Sequence, residues 1–378
     1  MKRMIGAVIL CASFALIGAE ETKAIKSDEA APRPLIQMAI LLDTSSSMDG
    51  LIDQARGQLW TVVNEFITAT REGKKPELQV ALYEYGKPSL GAEGGFIRQI
   101  VPLTTDLDKI SQELFALKTN GGDEYCGWVI KTACEQLAWS KNNSDLKVIF
   151  IAGNEPFTQG PVDYRTSCKT AIEKGIIVNT IHCGTSEQGI ADKWQDGARL
   201  ADGKYSFINQ DKAVVHIDAP QDKEIEKLNT DLNKTYVAYG AAGGEAKSRQ
   251  MEQDGNAAKM DKDAFGQRAA CKASDNYRNG SWDLVDALKE NKKLADLRDE
   301  ELPEEMKKMT AEQRKAFIEG KAKERADIQK QILKLNDARN AYVADEMKKK
   351  VGSQDESLDK VMAKAAREQA QQRNFQFK

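Results

Sequence analysis

Histidine is scarce in this chain, with His182 and His216 the only two in 378 residues. Hydrolases of the Ser-His-Asp or Cys-His kind need a histidine held against the nucleophile. His182 directly precedes Cys183, and neighbours on a strand point to opposite faces, so the two cannot act as base and nucleophile for each other. No C-x-x-C pair occurs among the six cysteines, which argues against zinc. An excess of basic charge is also missing: the net charge is −3, the pI about 5.8, and no domain is basic, so nucleic acid finds no electrostatic footprint. The glycine-rich loops lack the Lys and Ser or Thr of a phosphate-binding loop. Past the N-terminus, no segment is apolar for the roughly 20 residues that a bilayer span requires. Internal repeats and low-complexity tracts are absent too. Aromatics make up only 7% against 30% charged residues, a composition that suggests long solvated helices.

The N-terminus, Met1-Lys2-Arg3 followed by an apolar run from Met4 to Ile17 and then Gly18-Ala19, reads as a signal peptide over residues 1–19. The mature chain is then expected to be soluble and exported, either periplasmic or secreted. Residues 20–34 are polar, contain Pro32 and Pro34, and read as a linker. Removing Cys11 with the signal leaves Cys126, Cys134, Cys168, Cys183 and Cys271, an odd number in an oxidising compartment. Spacing does not set connectivity. Cys168 and Cys183 are the pair that topology could bring together, and five buried thiols are the alternative.

The remaining chain is organised around residues 35–48. The apolar run from Leu35 to Leu42 suits a strand buried on both faces and stops at Asp43, which Thr44, Ser45, Ser46 and Ser47 follow. Asp43 thus falls at the carboxyl end of a strand, where open α/β sheets place ligands. Asp43, Ser45 and Ser47 form a hard oxygen cluster of the kind a small divalent cation prefers. Helical periodicity runs from Leu51 to Glu72. Strands are expected at 78–85 and 96–101 as an edge hairpin, then at 147–152, 176–181 and 204–208, with helices between them. Strands alternating with helices imply an α/β fold with a doubly wound, mostly parallel sheet.

Asp43-x-Ser45-x-Ser47 after such a strand resembles the metal-ion-dependent adhesion site of the von Willebrand factor A domain family, over residues 35–217. That resemblance implies a cation held by this first loop, by a threonine on a second loop and by an aspartate on a third. Here the second loop reads Gly121-Gly122-Asp123-Glu124 and the third Gly153-Asn154-Glu155-Pro156. Asp123 stands in place of the threonine and Asn154 in place of the aspartate, so the anionic ligand is expected to have moved from the third loop to the second. The implied ligand set is Asp43, Ser45, Ser47, Asp123 and Asn154, holding Mg²⁺, or Mn²⁺ or Ca²⁺. Glu124, Glu155 and Trp128 are candidates to face a partner. The plain alternative is a degenerate loop in which Asp43 caps the helix at Leu51.

The resemblance implies a non-catalytic module that recognises another protein through an acidic side chain. A structural envelope protein with a vestigial metal loop, acting through its helical region, is a second reading, and a metal-dependent hydrolase a third. Residues 218–288 read as a helical or irregular connecting region. Residues 289–378 read as a charged helical region in which Ile328, Ile332, Leu335 and Tyr342 lie at coiled-coil-like spacing, interrupted by Arg339 and Glu346. These helices could dock on the first domain or support self-association.

Overall fold

The computed structural model describes residues 33–211, 216–350 and 357–377, so the expected signal peptide and most of the linker lie outside the described residues. The α/β part runs β1 (Leu35–Asp43), α1 (Asp49–Asn64), β2 (Glu77–Tyr85), β3 (Ile97–Thr104), α2 (Leu107–Ala116), α3 (Cys126–Gln136), β4 (Leu146–Gly153), α4 (Tyr164–Glu173), β5 (Ile177–Cys183), α5 (Ser186–Ala191), α6 (Trp194–Leu200) and β6 (Tyr205–Ile208). Then come α7 (Asp222–Asn233), α8 (Gly243–Met260), α9 (Lys262–Lys272), α10 (Leu284–Lys289), α11 (Glu304–Lys307), α12 (Ala311–Lys350) and α13 (Leu358–Gln372).

The six strands lie in the order β3-β2-β1-β4-β5-β6. Only the β2–β3 pair is antiparallel, which is the expected edge hairpin. From β1 the chain winds outward to β2 and β3, then returns to the other side of β1 for β4. The winding therefore reverses between β1 and β4, and their carboxyl ends flank the crevice where such sheets bind ligands.

Because β1 alternates between two covered faces, it is apolar along its length except at Gln37 and the terminal Asp43. Ile36, Met38, Ile40 and Leu42 pack with α1, α2, α9 and α13 residues such as Leu59, Ile110, Ala269 and Val361. Ala39 and Leu41 pack on the other face with Val129, Cys168 and Trp194 from α3, α4 and α6. The same alternation explains the cysteines. Cys168 belongs to one core and Cys183 to the other, so the sheet separates the pair expected from topology. All five cysteines among the described residues are buried free thiols.

Two helices differ from the periodicity. The helix expected over 51–72 ends at Asn64, where tighter bonds (Glu65 N–H to Val62 O, Phe66 N–H to Val63 O) turn Phe66 into the core. The segment from Ile190 to Ala201 is split at Lys193, whose φ of 72° breaks the helical path.

The helices after β6 are fastened by buried ion pairs. Arg268 on α9 meets Asp108 on α2 at 2.7 Å and Asp254 on α8 at 2.6 Å, and Lys272 meets Asp254 at 2.7 Å. On α12, Arg325 reaches Asp283 at 2.6 Å, and Arg339 reaches Asp222 at 2.7 Å. Ile328 and Ile332 of the suspected seam are buried within this chain, while Tyr342 is exposed. α13 lies beside α1, with Gln54 and Gln58 side chains accepting from the Leu358 and Asp359 N–H groups. Over the sheet, the Gln369 and Asn179 side-chain amides bond each other.

Candidate metal centre

Three loops meet over the crevice between β1 and β4. The first begins at Asp43, whose Oδ1 accepts the Ser45 N–H at 2.7 Å, and the Ser45 and Ser47 hydroxyls lie 3.3 Å apart. This loop is held to the second by Asn120 N–H to Thr44 O at 3.0 Å, and to the end of β2 by Thr44 N–H to Tyr85 O at 2.8 Å. The third loop closes against it through the Asn154 side-chain amide, which donates to Ser47 Oγ at 3.1 Å. The Trp194 indole N–H, donated to Glu155 O at 2.9 Å, anchors that third loop from below.

Asp43, Ser45, Ser47 and Asn154 are therefore brought together, while Asp123 is exposed and accepts the Tyr125 hydroxyl at 3.4 Å. Its neighbour Glu124 is the residue turned inward, 4% exposed, with its backbone N–H bound to Gln159 Oε1 at 2.6 Å. Gly86 lets the two carboxylate side chains converge. A Cβ there would fall 2.8 Å from Asp43 Oδ1 and 2.9 Å from Glu124 Cγ, and its φ of 90° favours glycine in any case. Trp128 is half-buried and lies flat over Gly95, stacked at 6.3 Å on Tyr125, whose ring Phe96 meets edge-on. It belongs to an aromatic step beside the loops.

Several supporting residues carried no local signal. Glu84, fully buried at the end of β2, is ion-paired to Lys87 at 2.7 Å and to Arg98, and takes the Thr44 hydroxyl at 3.3 Å. The Tyr85 hydroxyl donates to Ala152 O at 3.0 Å, bridging β2 to β4. A glycine directly after a strand, as at Gly86, was the one hint that side chains crowd this point.

Burial and neighbouring acids disfavour charge on the two inward carboxyls. Burial pushes the Asp43 carboxyl up to about 7, against the lowering effect of the Ser45 N–H and hydroxyl, with the Glu155 charge adding to the rise. Burial, then the charges of Asp43 and Glu155, push Glu124 up to about 8. Asp43 Oδ2 and Asn154 Oδ1 are buried and accept no hydrogen bond. Buried oxygens without donors are costly, and a hard cation would satisfy them. The donors present are all oxygens, so they fit Mg²⁺, Mn²⁺ or Ca²⁺ better than a soft metal.

The histidines lie elsewhere. His182 is buried with neither ring nitrogen bonded, and burial lowers its pKa, keeping it neutral. His216 lies 3.4 Å from Asp261 and groups with Asp261 and Asp263. Asp261 already caps α9 through the Ala264 N–H, and Asp263 pairs with Arg339.

Residues 37–239 match the von Willebrand factor type A domain family. Among solved structures, the chain is similar to the conserved hypothetical protein BatB from Bacteroides thetaiotaomicron, at 16% identity over 46% of this chain and 90% of that one, with a TM-score of 0.36. It is also similar to the SpRpn10 VWA domain, at 16% identity over 46% and 87% of the two chains, TM-score 0.35. A third is proximal thread matrix protein 1 from the mussel byssus, described with a zinc occupied MIDAS motif, at 12% identity over 48% and 43%, TM-score 0.37. Comparison with curated proteins finds no match.

Proposed function

Since the chain belongs to the von Willebrand factor type A domain family, we propose that it is a non-catalytic protein-recognition module built on a divalent cation. Asp43, Ser45 and Ser47 would hold the cation from the first loop, Glu124 would supply the second carboxylate, and Asn154 and Glu155 would border it. The cation supplies a Lewis-acidic position that an oxygen of the partner protein completes, and the family resemblance implies an acidic side chain as that donor. Mg²⁺ or Mn²⁺ suits this oxygen set, and Ca²⁺ is accepted if the loops open to a larger shell. The observation that carries the reading is the buried Asp43 carboxylate, whose Oδ2 accepts no hydrogen bond, on the loop that also brings the Ser45 and Ser47 hydroxyls within 3.3 Å of each other.

Calorimetric titration of Mg²⁺ and Mn²⁺ tests it. Binding is expected in the wild type, lost in Asp43→Ala, weakened in Glu124→Gln and unchanged in Asp123→Ala, because Asp123 is exposed. Wild-type silence together with a stable fold would remove the cation from the account.

The helices from α7 to α12 would orient the partner or attach the module to an envelope structure. A second reading gives them the main role, as a structural protein with a vestigial metal loop. The buried ion pairs that fix α9 and α12 in place favour it, and retained cation affinity would count against it. On the strength of the N-terminal pattern we also propose export to the periplasm or beyond, which cell fractionation would test.

A further inference from the structure

The family resemblance places a neutral hydroxyl on the second loop, so that a bound cation keeps positive charge for a partner's carboxylate. This chain puts a carboxylate there instead. Glu124 is buried, its side chain is drawn against Asp43 through the gap at Gly86, and its backbone is fixed by Gln159. Glu155 follows on the third loop, half-buried, its backbone carbonyl tied to Trp194. Asp43 is fully buried between them, its Oδ1 on the Gly86 side with Glu124 and its unpartnered Oδ2 toward Gly153 of the third loop.

We infer that Glu124, with Glu155 behind it, sets the class of partner donor, so that the site excludes carboxylates and accepts a neutral oxygen such as a backbone carbonyl, an amide or a hydroxyl. The inference rests on the cation reading above and replaces the acidic donor that the resemblance implies with a neutral one. A cation of charge +2 facing Asp43 and Glu124 is already neutralised, and Glu155 makes the surroundings negative. A further carboxylate then meets net repulsion, while a neutral dipole still gains the cation's field at short range. Charge complementarity also reverses at the rim, where exposed Asp123 adds a fourth acid.

The test uses Mn²⁺-loaded protein with acetate and N-methylacetamide as probes, reading displacement of Mn²⁺-bound water by water-proton relaxation. Glu124→Gln and Glu155→Gln are compared with wild type, so that either variant carries the result if the other binds Mn²⁺ too weakly. The acetate midpoint is expected to fall about tenfold in the variants, as the removal of one nearby charge at intermediate dielectric implies. The amide midpoint should stay within about twofold, since a neutral donor does not feel that charge. An acetate midpoint that is the same in wild type and variants, with Mn²⁺ bound, overturns the inference alone. Absence of Mn²⁺ binding, or binding that survives Asp43→Ala, overturns the cation reading and the inference together.

Discussion

Burial holds the Asp43 carboxyl near 7 and that of Glu124 near 8, against ordinary values of 3.8 and 4.5. A carboxyl whose folded pKa is raised stabilises the fold fully below its ordinary value, and that contribution is lost as pH rises through the folded one. The cation-free protein is therefore expected to lose thermal stability between pH 4.5 and 8, and a divalent cation should reverse the trend. Cation binding displaces the same protons, so affinity should rise from pH 6 to 8.5, by up to about tenfold per unit for each proton released. Calorimetry in two buffers of different ionisation enthalpy counts those protons, and a pH-independent affinity would contradict the assignment of both carboxylates. At this scale Asp43, Ser45 and Ser47 were legible because a strand end and a short-range pattern define them. The choice between Asp123 and Glu124 was not. In an irregular loop no periodicity says which neighbour turns inward, and the decision depends on the space left at Gly86 in a different loop.

Strands were the most legible elements, because apolar runs of this length have few other solutions than a sheet covered on both faces. The later helices were harder, since buried cations stand on their inner faces. Arg325 and Arg339 point inward from α12 and are almost fully buried. A reading that places arginine at the surface loses the stripe there, which is why the seam at Ile328 and Ile332 looked interrupted. Arg268 shows what such a residue does, joining α9 to α2 and α8 while its guanidinium lies 4.7 Å over the Trp60 ring. Arg268→Met would leave Asp254 to Lys272 and take from Asp108 its ion-pair partner, leaving it the Tyr277 hydroxyl. Breaking a buried pair from one side typically costs about 3–5 kcal/mol. That loss should appear as a lower urea midpoint with the slope unchanged, whereas a shift under 1 kcal/mol, roughly that of an exposed pair, would show the junction to be solvated.

Across the whole molecule, the sheet face under α1 is covered by residues from both ends of the described chain. Leu358, Val361, Met362, Ala366 and Phe375 join a core that begins at Ile36, and Gln376 forms a bridge with Thr70. A chain stopped at residue 356 should therefore keep helical signal but bind a hydrophobic dye and unfold over a broad range. Cooperative unfolding of that truncation at the wild-type midpoint would show α13 to be dispensable. Nothing in the α13 sequence names its destination, because amphipathic helices of similar pattern can dock on any apolar face. The contacts of Leu358 with Gln54 and of Asp359 with Gln58 join residues 304 and 301 positions apart. Closures of that length come late in folding and slow it. Until α13 is in place the sheet face under α1 lacks its cover, so a chain still missing that helix presents an apolar surface there whatever its earlier segments have folded.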